Sequence, residues 1–233
     1  MTYQKLQKEL FDRIEIQAKI GNSSNTLVAM RNFDNDNSRC LTSVFFLSQT
    51  KVVSEIQKFT EELQVADNRQ YYYPVFSLHI TIQNIRNENI QPLFNQEDID
   101  MTKQVFAKII PKHKPIKCHL KGLFELPTSI SIRGYTDESL KDLVLDLKRE
   151  LISVGVPDNK KYASDSIFFC NSTICRYQVQ PNDKFFEIVR RNKNRDFDAV
   201  DINEVSLMTT NAVADQKYTN IINSIPLASP NFF

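Results

Sequence analysis

Along the whole chain, stretches that alternate apolar and polar residues are interleaved with stretches whose apolar residues recur every three or four positions. This restricts the fold to one in which strands and helices alternate. Leu6, Leu10, Ile14 and Ala18 share one face of a helix predicted over 2–20, with Gly21 just past its end. Val52, Ile56, Phe59 and Leu63 predict a second over 51–65, and a third is expected at 98–110. A fourth, over 138–154, carries Leu140, Leu143, Leu147 and Leu151, with Asp137 as its cap and Gly155 as its stop. A fifth begins after Pro181 with Phe185, Phe186 and Val189. Strands are expected at 26–33, 40–47, 76–85, 116–124, 129–135, 166–177 and 198–210, with one short strand in the tail. These strands lack the all-apolar character of a buried parallel sheet. Only four glycines occur in 233 residues, which leaves no phosphate-cradling glycine loop. An α+β fold with antiparallel sheets is predicted.

Charge and cysteine usage narrow the function classes. With 29 Lys plus Arg against 28 Asp plus Glu the net charge is +1. That excludes the whole-molecule basic field of a protein that holds nucleic acid mainly by neutralising phosphates, so any polyanion contact is local. No run of about 18 apolar residues exists, and the N-terminus MTYQKLQKELFDRIEIQ is too charged for a secretory h-region. No membrane association and a cytoplasmic location are expected. Cys40, Cys118, Cys170 and Cys175 lie in or beside apolar strand-like runs without C-x₂-C spacing, so free buried thiols are expected rather than disulfides or a zinc set. His79, His113 and His119 are the only imidazoles.

Two strand segments have one shape. In FSLHITIQ, two-residue alternation puts Ser77, His79, Thr81 and Gln83 on one face and Leu78, Ile80 and Ile82 on the other. In IFFCNSTICRY, Asn171 and Thr173 share a face, again followed by Ile. Alternation alone puts Arg176 opposite Asn171; it joins that face only if the strand bends, bulges or ends near Cys175. A single His on such a strand is more often a structural hydrogen-bonding residue. The recurrence of the pattern roughly 90 residues later favours a site.

On these residues the chain resembles the two-histidine (2H) phosphoesterase superfamily. Its LigT-like members include RNA 2′,3′-cyclic phosphodiesterases and 2′-5′ RNA ligases, built on two facing His-x-Thr-x motifs. His79-Ile80-Thr81-Ile82 matches the first motif; Thr173-Ile174 and Arg176 match the second, with Asn171 at its histidine position. The resemblance implies a bilobal, pseudo-symmetric α+β fold over about 26–212, two antiparallel sheets flanking a central cleft with helices outside. It implies one such domain over 1–233: an extra helix at 1–21, a first lobe at about 26–112 and a second at about 115–212, with sheet strands free to swap between lobes. It also implies a hydrolase that opens a phosphodiester without cofactor or metal. His79, Thr81 and Thr173 are the candidate catalytic residues; Asn171, Arg176, Gln83 and Tyr73 are the candidate substrate-binding residues.

Imidazole suits both proton roles, and Thr hydroxyls with a guanidinium can hold the non-bridging oxygens. Asn171 can donate a hydrogen bond to phosphate but has no proton to transfer in this pH range. The expected ligand is a nucleotide or RNA-end phosphate in the cleft of a monomer, turned over with reduced or altered activity. The alternatives are a nucleotide- or RNA-end-binding module using the same cleft, and an α+β scaffold used for protein contacts. Tyr71 to Tyr73 either stack a base at the cleft rim or half-bury at a strand edge.

Overall fold

Two antiparallel sheets carry the fold of the computed structural model, which describes residues 2–22 and 28–228. In chain order the elements are α1 (Tyr3–Lys19), β1 (Arg39–Phe46), α2 (Val53–Ala66), β2 (Tyr71–Tyr72), β3 (His79–Asn89), α3 (Gln96–Ile109), β4 (Ile116–Leu126), β5 (Ser129–Tyr135), α4 (Ser139–Ser153), β6 (Cys170–Arg176), α5 (Asp183–Arg191), β7 (Asp196–Ile202), β8 (Glu204–Thr210) and β9 (Asn220–Pro226). One sheet has the order β3-β1-β8-β9, the other β2-β6-β5-β4-β7. Neither is built from one contiguous half of the chain. β2 crosses from the first half to pair with β6, and β8 and β9 return from the second half to pair with β1 and with each other.

The helices form where the leucine and isoleucine stripes require them. Leu140, Leu143, Leu147 and Leu151 of α4 and Ile56, Phe59 and Leu63 of α2 are buried in one core that also takes side chains from both sheets. Gly21 and Gly155 follow α1 and α4 at φ of 73° and 79°, the left-handed conformation that stops a helix at little cost to glycine. α1 stands apart from this core. Its Leu10, Phe11 and Ile14 bury against Phe124 of β4, with Tyr135 and Phe169 packed alongside.

Four sequence expectations differ from the structure, one being the strand expected at 166–177, which begins only at Cys170. Of the strand expected at 26–33, residues 26 and 27 lie outside the described residues and 28–33 are irregular. The Phe33 amide donates to Gln178 Oε1 instead of joining a strand ladder. The single strand expected at 198–210 is two, broken at Asn203, so that β7 edges one sheet while β8 enters the centre of the other. The strand expected from 76 begins only at His79, because Val75–Ser77 form a 3₁₀ turn. All four cysteines are free and buried.

Gly134 of β5 is a packing requirement. A Cβ there would sit 2.7 Å from Cys170 Cβ and 2.8 Å from Cys118 Sγ, so the cysteines of the flanking β6 and β4 fill the space a side chain would need. Gly134→Ala should destabilise the protein by about 1–3 kcal/mol in urea denaturation, the usual cost of overpacking a core. Combining it with Cys118→Ala should recover part of the loss; no recovery would place the strain elsewhere.

Candidate active site

Strands β3 and β6 lie against each other across the two sheets, and the registers of both decide which side chains meet. In β6, Ile130 pairs with Cys175 but Ser131 pairs with Thr173, so Ile174 is an extra residue in the ladder. The bulge advances the alternation by one position. Arg176 therefore joins Asn171 and Thr173, and all three line one cavity of about 210 Å³. This is the bulge near Cys175 on which a cleft position for Arg176 depended.

β3 is bulged in the same way. Ser43 pairs with Gln83 but Val44 pairs with Thr81, leaving Ile82 unmatched, and Ile85 is skipped between the pairs of Thr42 and Leu41. The open face of β3 thus runs from His79 through Thr81 to Asn84 and Asn87. Thr81, Asn84 and Asn87 line the same cavity as Asn171, Thr173 and Arg176. The expectation that Gln83 shares the face of His79 and Thr81 fails here. The Ile82 bulge turns Gln83 inward, where it is fully buried and donates through Nε2 to Asp158 Oδ2 at 2.8 Å.

His79 is half-buried at the start of β3. Its Nδ1 lies 2.7 Å from the Ser77 carbonyl, which can only accept, so Nδ1 carries the proton and Nε2 keeps its lone pair. Ser77 is in turn held by its own hydroxyl, which donates to the Ala214 carbonyl at 2.6 Å. Burial pushes the His79 pKa below its usual 6.5, and the Arg176 charge adds to that; the Ser77 carbonyl opposes it.

Tyr73 is not a free stacking platform. It is buried, its ring lies 6.2 Å from that of His79, and its hydroxyl accepts from Arg176 Nε at 2.9 Å and donates to the Ala212 carbonyl at 3.2 Å. Its place is to hold the guanidinium. Burial raises the Tyr73 pKa, so the hydroxyl stays neutral. Thr173 shares a hydrogen bond of 3.0 Å with Ser131 of β5, a third hydroxyl on the cavity wall.

Two lysines complete the wall. Lys160 and Lys161 line the cavity from the loop between α4 and β6. That loop is fastened to β3 by five hydrogen bonds: the Pro157 carbonyl accepts from Arg86 Nη1, Asp158 accepts from Gln83, the Asn87 backbone amide donates to Asn159 Oδ1, Asn87 Nδ2 donates to the Asn159 carbonyl, and the Asn159 backbone amide donates to the Ile85 carbonyl. Tyr162 donates to Asp158 as well. Lys160 also lines the small adjoining cavity together with Thr81 and Asn171. Burial holds its pKa below the usual 10.5, with Asp158 opposing. Neither lysine carries a periodic or motif signal that a sequence reading could use.

The comparisons bear on the fold. The chain resembles the crystal structure of TT0787 of Thermus thermophilus, with a TM-score of 0.61 at 13% identity over 80% of this chain and 97% of that one. It resembles E. coli LigT complexed with 3′-AMP, with a TM-score of 0.54 at 11% identity over 83% of this chain and 99% of that one. A conserved protein of unknown function from Agrobacterium tumefaciens gives 0.58 at 10% identity, over 91% and 97%. No protein-family model and no curated protein sequence matches. The fold is thus the LigT-like α+β fold.

The environment of His79 predicts its titration. The imidazole ¹H–¹³C signal should titrate below pH 6.5, and Arg176→Gln should raise that midpoint without restoring 6.5, since burial is the larger cause. A wild-type midpoint above 6.5 contradicts the arrangement.

Proposed function

We propose that the chain is a phosphodiesterase acting on 2′,3′-cyclic phosphate, 2′-5′ linked or cyclic (oligo)nucleotides by acid/base chemistry that uses no metal. The observation that carries this is the β6 bulge, which adds Arg176 to the cavity wall formed by Thr81, Asn171 and Thr173; His79 lies two residues before Thr81 on the same face of β3, beside Tyr73 and outside the cavity lining itself. Support also comes from the fold shared with LigT, which has been crystallised with 3′-AMP and with phosphate.

The residues divide the work by chemistry. Neutral His79 offers Nε2 to a water; the water oxygen attacks phosphorus while its proton passes to Nε2. Arg176, the Thr81 and Thr173 hydroxyls and the Asn171 amide donate to the non-bridging oxygens, whose charge is redistributed in the transition state. The bond from phosphorus to one ribose oxygen breaks, and that oxygen needs a proton which Asn171 cannot give. The Lys160 ammonium, on the same wall and made a stronger acid by burial, is the donor in this reading. A proton then returns from His79 to Lys160 through solvent, and the sum is addition of one water.

The lack of a titratable group at Asn171 favours a second reading, a cleft that binds a nucleotide or RNA end without turning it over. Thermal stabilisation by such ligands with no product formed selects it.

With 2′,3′-cyclic nucleotides as substrates, His79→Ala should lower kcat by about 10²–10⁴, the usual worth of one general base. Activity should rise with pH through the His79 ionisation below 6.5 and fall again, below the usual lysine 10.5, as Lys160 loses its proton. Lys160→Met should cost a similar factor, and adding Asn171→His should restore much of it. No hydrolysis by the wild-type chain across cyclic and 2′-5′ linked nucleotides overturns the enzyme reading. An active wild type with an unaffected Lys160→Met removes Lys160 alone.

A further inference from the structure

A second and larger cavity, of about 510 Å³, lies on the other flank of α1. Ser131, Arg133 and Tyr135 alternate onto one face of β5, and Arg133 pairs in register with Asn171, so this face of the sheet continues from the cleft. α1 crosses it. Phe11 packs on Phe124 and Phe169, which line the cleft, and on Tyr135, which lines the second cavity. The outward stripe of α1, with Lys5, Lys8 and Asp12, forms one wall, and β4 with Lys193 forms the other. β4 bulges at Lys121 and Gly122 opposite Arg133, between the pairs Leu120 with Gly134 and Leu123 with Ile132. Gly122 takes φ of 81°, and a Cβ there would come within 3.1 Å of the Lys193 carbonyl.

The cavity is basic beyond what its own carboxylates offset. Lys5, Lys8, Lys121, Arg133 and Lys193 line it, with His119 beside them. Three carboxylates oppose these five charges. Asp12 takes Lys8 and Arg133, Glu15 takes Arg133 and Lys193, and Asp196 takes His119 and Lys121. Lys5 has no carboxylate partner among the described residues. Arg133 is 4% exposed, and its Nη2 lies 2.9 Å from Glu15 Oε1 without hydrogen-bond geometry, leaving that atom unsatisfied. A local surplus of two charges in a chain of net charge +1 is a concentrated feature. Its volume falls in the range of small-ligand sites, roughly 300–1,000 Å³.

We propose that this cavity is a second anion site, separate from the reaction cleft, which takes a multiply phosphorylated small molecule of nucleoside diphosphate or triphosphate size. Adjacent phosphates supply the two or more negative charges that the lysines leave unmatched. The buried Arg133 fixes the floor, and the long lysine side chains on both walls close on the ligand.

The experiment starts from the full-length Thr173→Val/Arg176→Gln variant, in which two of the cleft's phosphate donors are removed, and titrates it by calorimetry with pyrophosphate and with ATP at low ionic strength. This variant should still bind. Adding Lys5→Gln and Lys121→Gln, both on exposed side chains, should weaken binding at least tenfold with an unchanged melting temperature. Adding Lys103→Gln and Lys184→Gln on distant exposed surfaces should leave it unaltered. Tighter binding of ATP than pyrophosphate assigns a nucleotide; equal binding assigns the polyphosphate alone. No binding to the cleft variant, or equal losses from the distant pair, overturns the proposal. Neither result bears on catalysis in the cleft.

Discussion

The cleft depends on the backbone at Ile174, where β6 holds one residue more than the strand it pairs with. A regular strand presents alternate residues to one face, so a chain reading Asn171, Ser172, Thr173, Ile174, Cys175, Arg176 without a bulge would send its arginine into the opposite layer. With the extra residue, Ile174 and Cys175 are both buried and Arg176 comes round to the cavity side, with Asn171 and Thr173. The bulge does not act alone. Tyr73 holds Arg176 Nε, and the Tyr73 amide donates to the carbonyl of Ile174 itself, so the short β2 edge fixes the bulged backbone and the guanidinium together.

The tyrosine run ahead of β3 is therefore structural in a functional sense. Tyr72 donates to the Leu63 and Asp67 carbonyls at the end of α2, Tyr73 reaches Arg176, and the following 3₁₀ turn delivers Ser77 to the His79 ring. A tyrosine hydroxyl is an efficient device for this. It can accept from a cation and donate to a carbonyl at once, which satisfies its one proton inside a buried site.

Much of this was legible from periodicity. The helical stripes, the strand pair either side of the turn at 126–129, and the paired His79-x-Thr81 and Asn171-x-Thr173 faces follow from spacing that survives in the structure. What was not legible depends on strand pairing at a distance. Whether Gln83 or Asn84 shares the face of Thr81 is decided by how β3 registers against β1, some forty residues earlier, and no local pattern counts that. Tyr73 looked like a rim aromatic because its partner, Arg176, is brought near only by the β2–β6 pairing. Lys160 sits in an irregular loop whose position is set by Gln83, Arg86 and Asn87, so its presence in the cleft is a consequence of three residues on another element. Gln83 thus has a part in the site after all, through the loop it fastens.

Charge ties these pieces into one consistent state. Arg176, Lys160 and Lys161 face a small cavity in which Glu88 is the one carboxylate on the wall among the described residues. A positive field of this kind suits an anion, and its Arg176 part also acts on the half-buried imidazole, whose protonation would set a second cation near that guanidinium. Burial and Arg176 therefore both keep His79 neutral, and of the two it is the Arg176 charge that also suits an anion. A neutral histidine whose Nδ1–H is committed to Ser77 has only Nε2 left, and Nε2 in that form can accept a proton but cannot give one. In the proposed reaction the two proton roles are therefore separated before substrate arrives, with His79 as the base and the acid required on the other side of the phosphate. In that reaction an asparagine at 171 would supply an amide contact to the anion without adding a second imidazole to a cavity already lined by Arg176, Lys160 and Lys161.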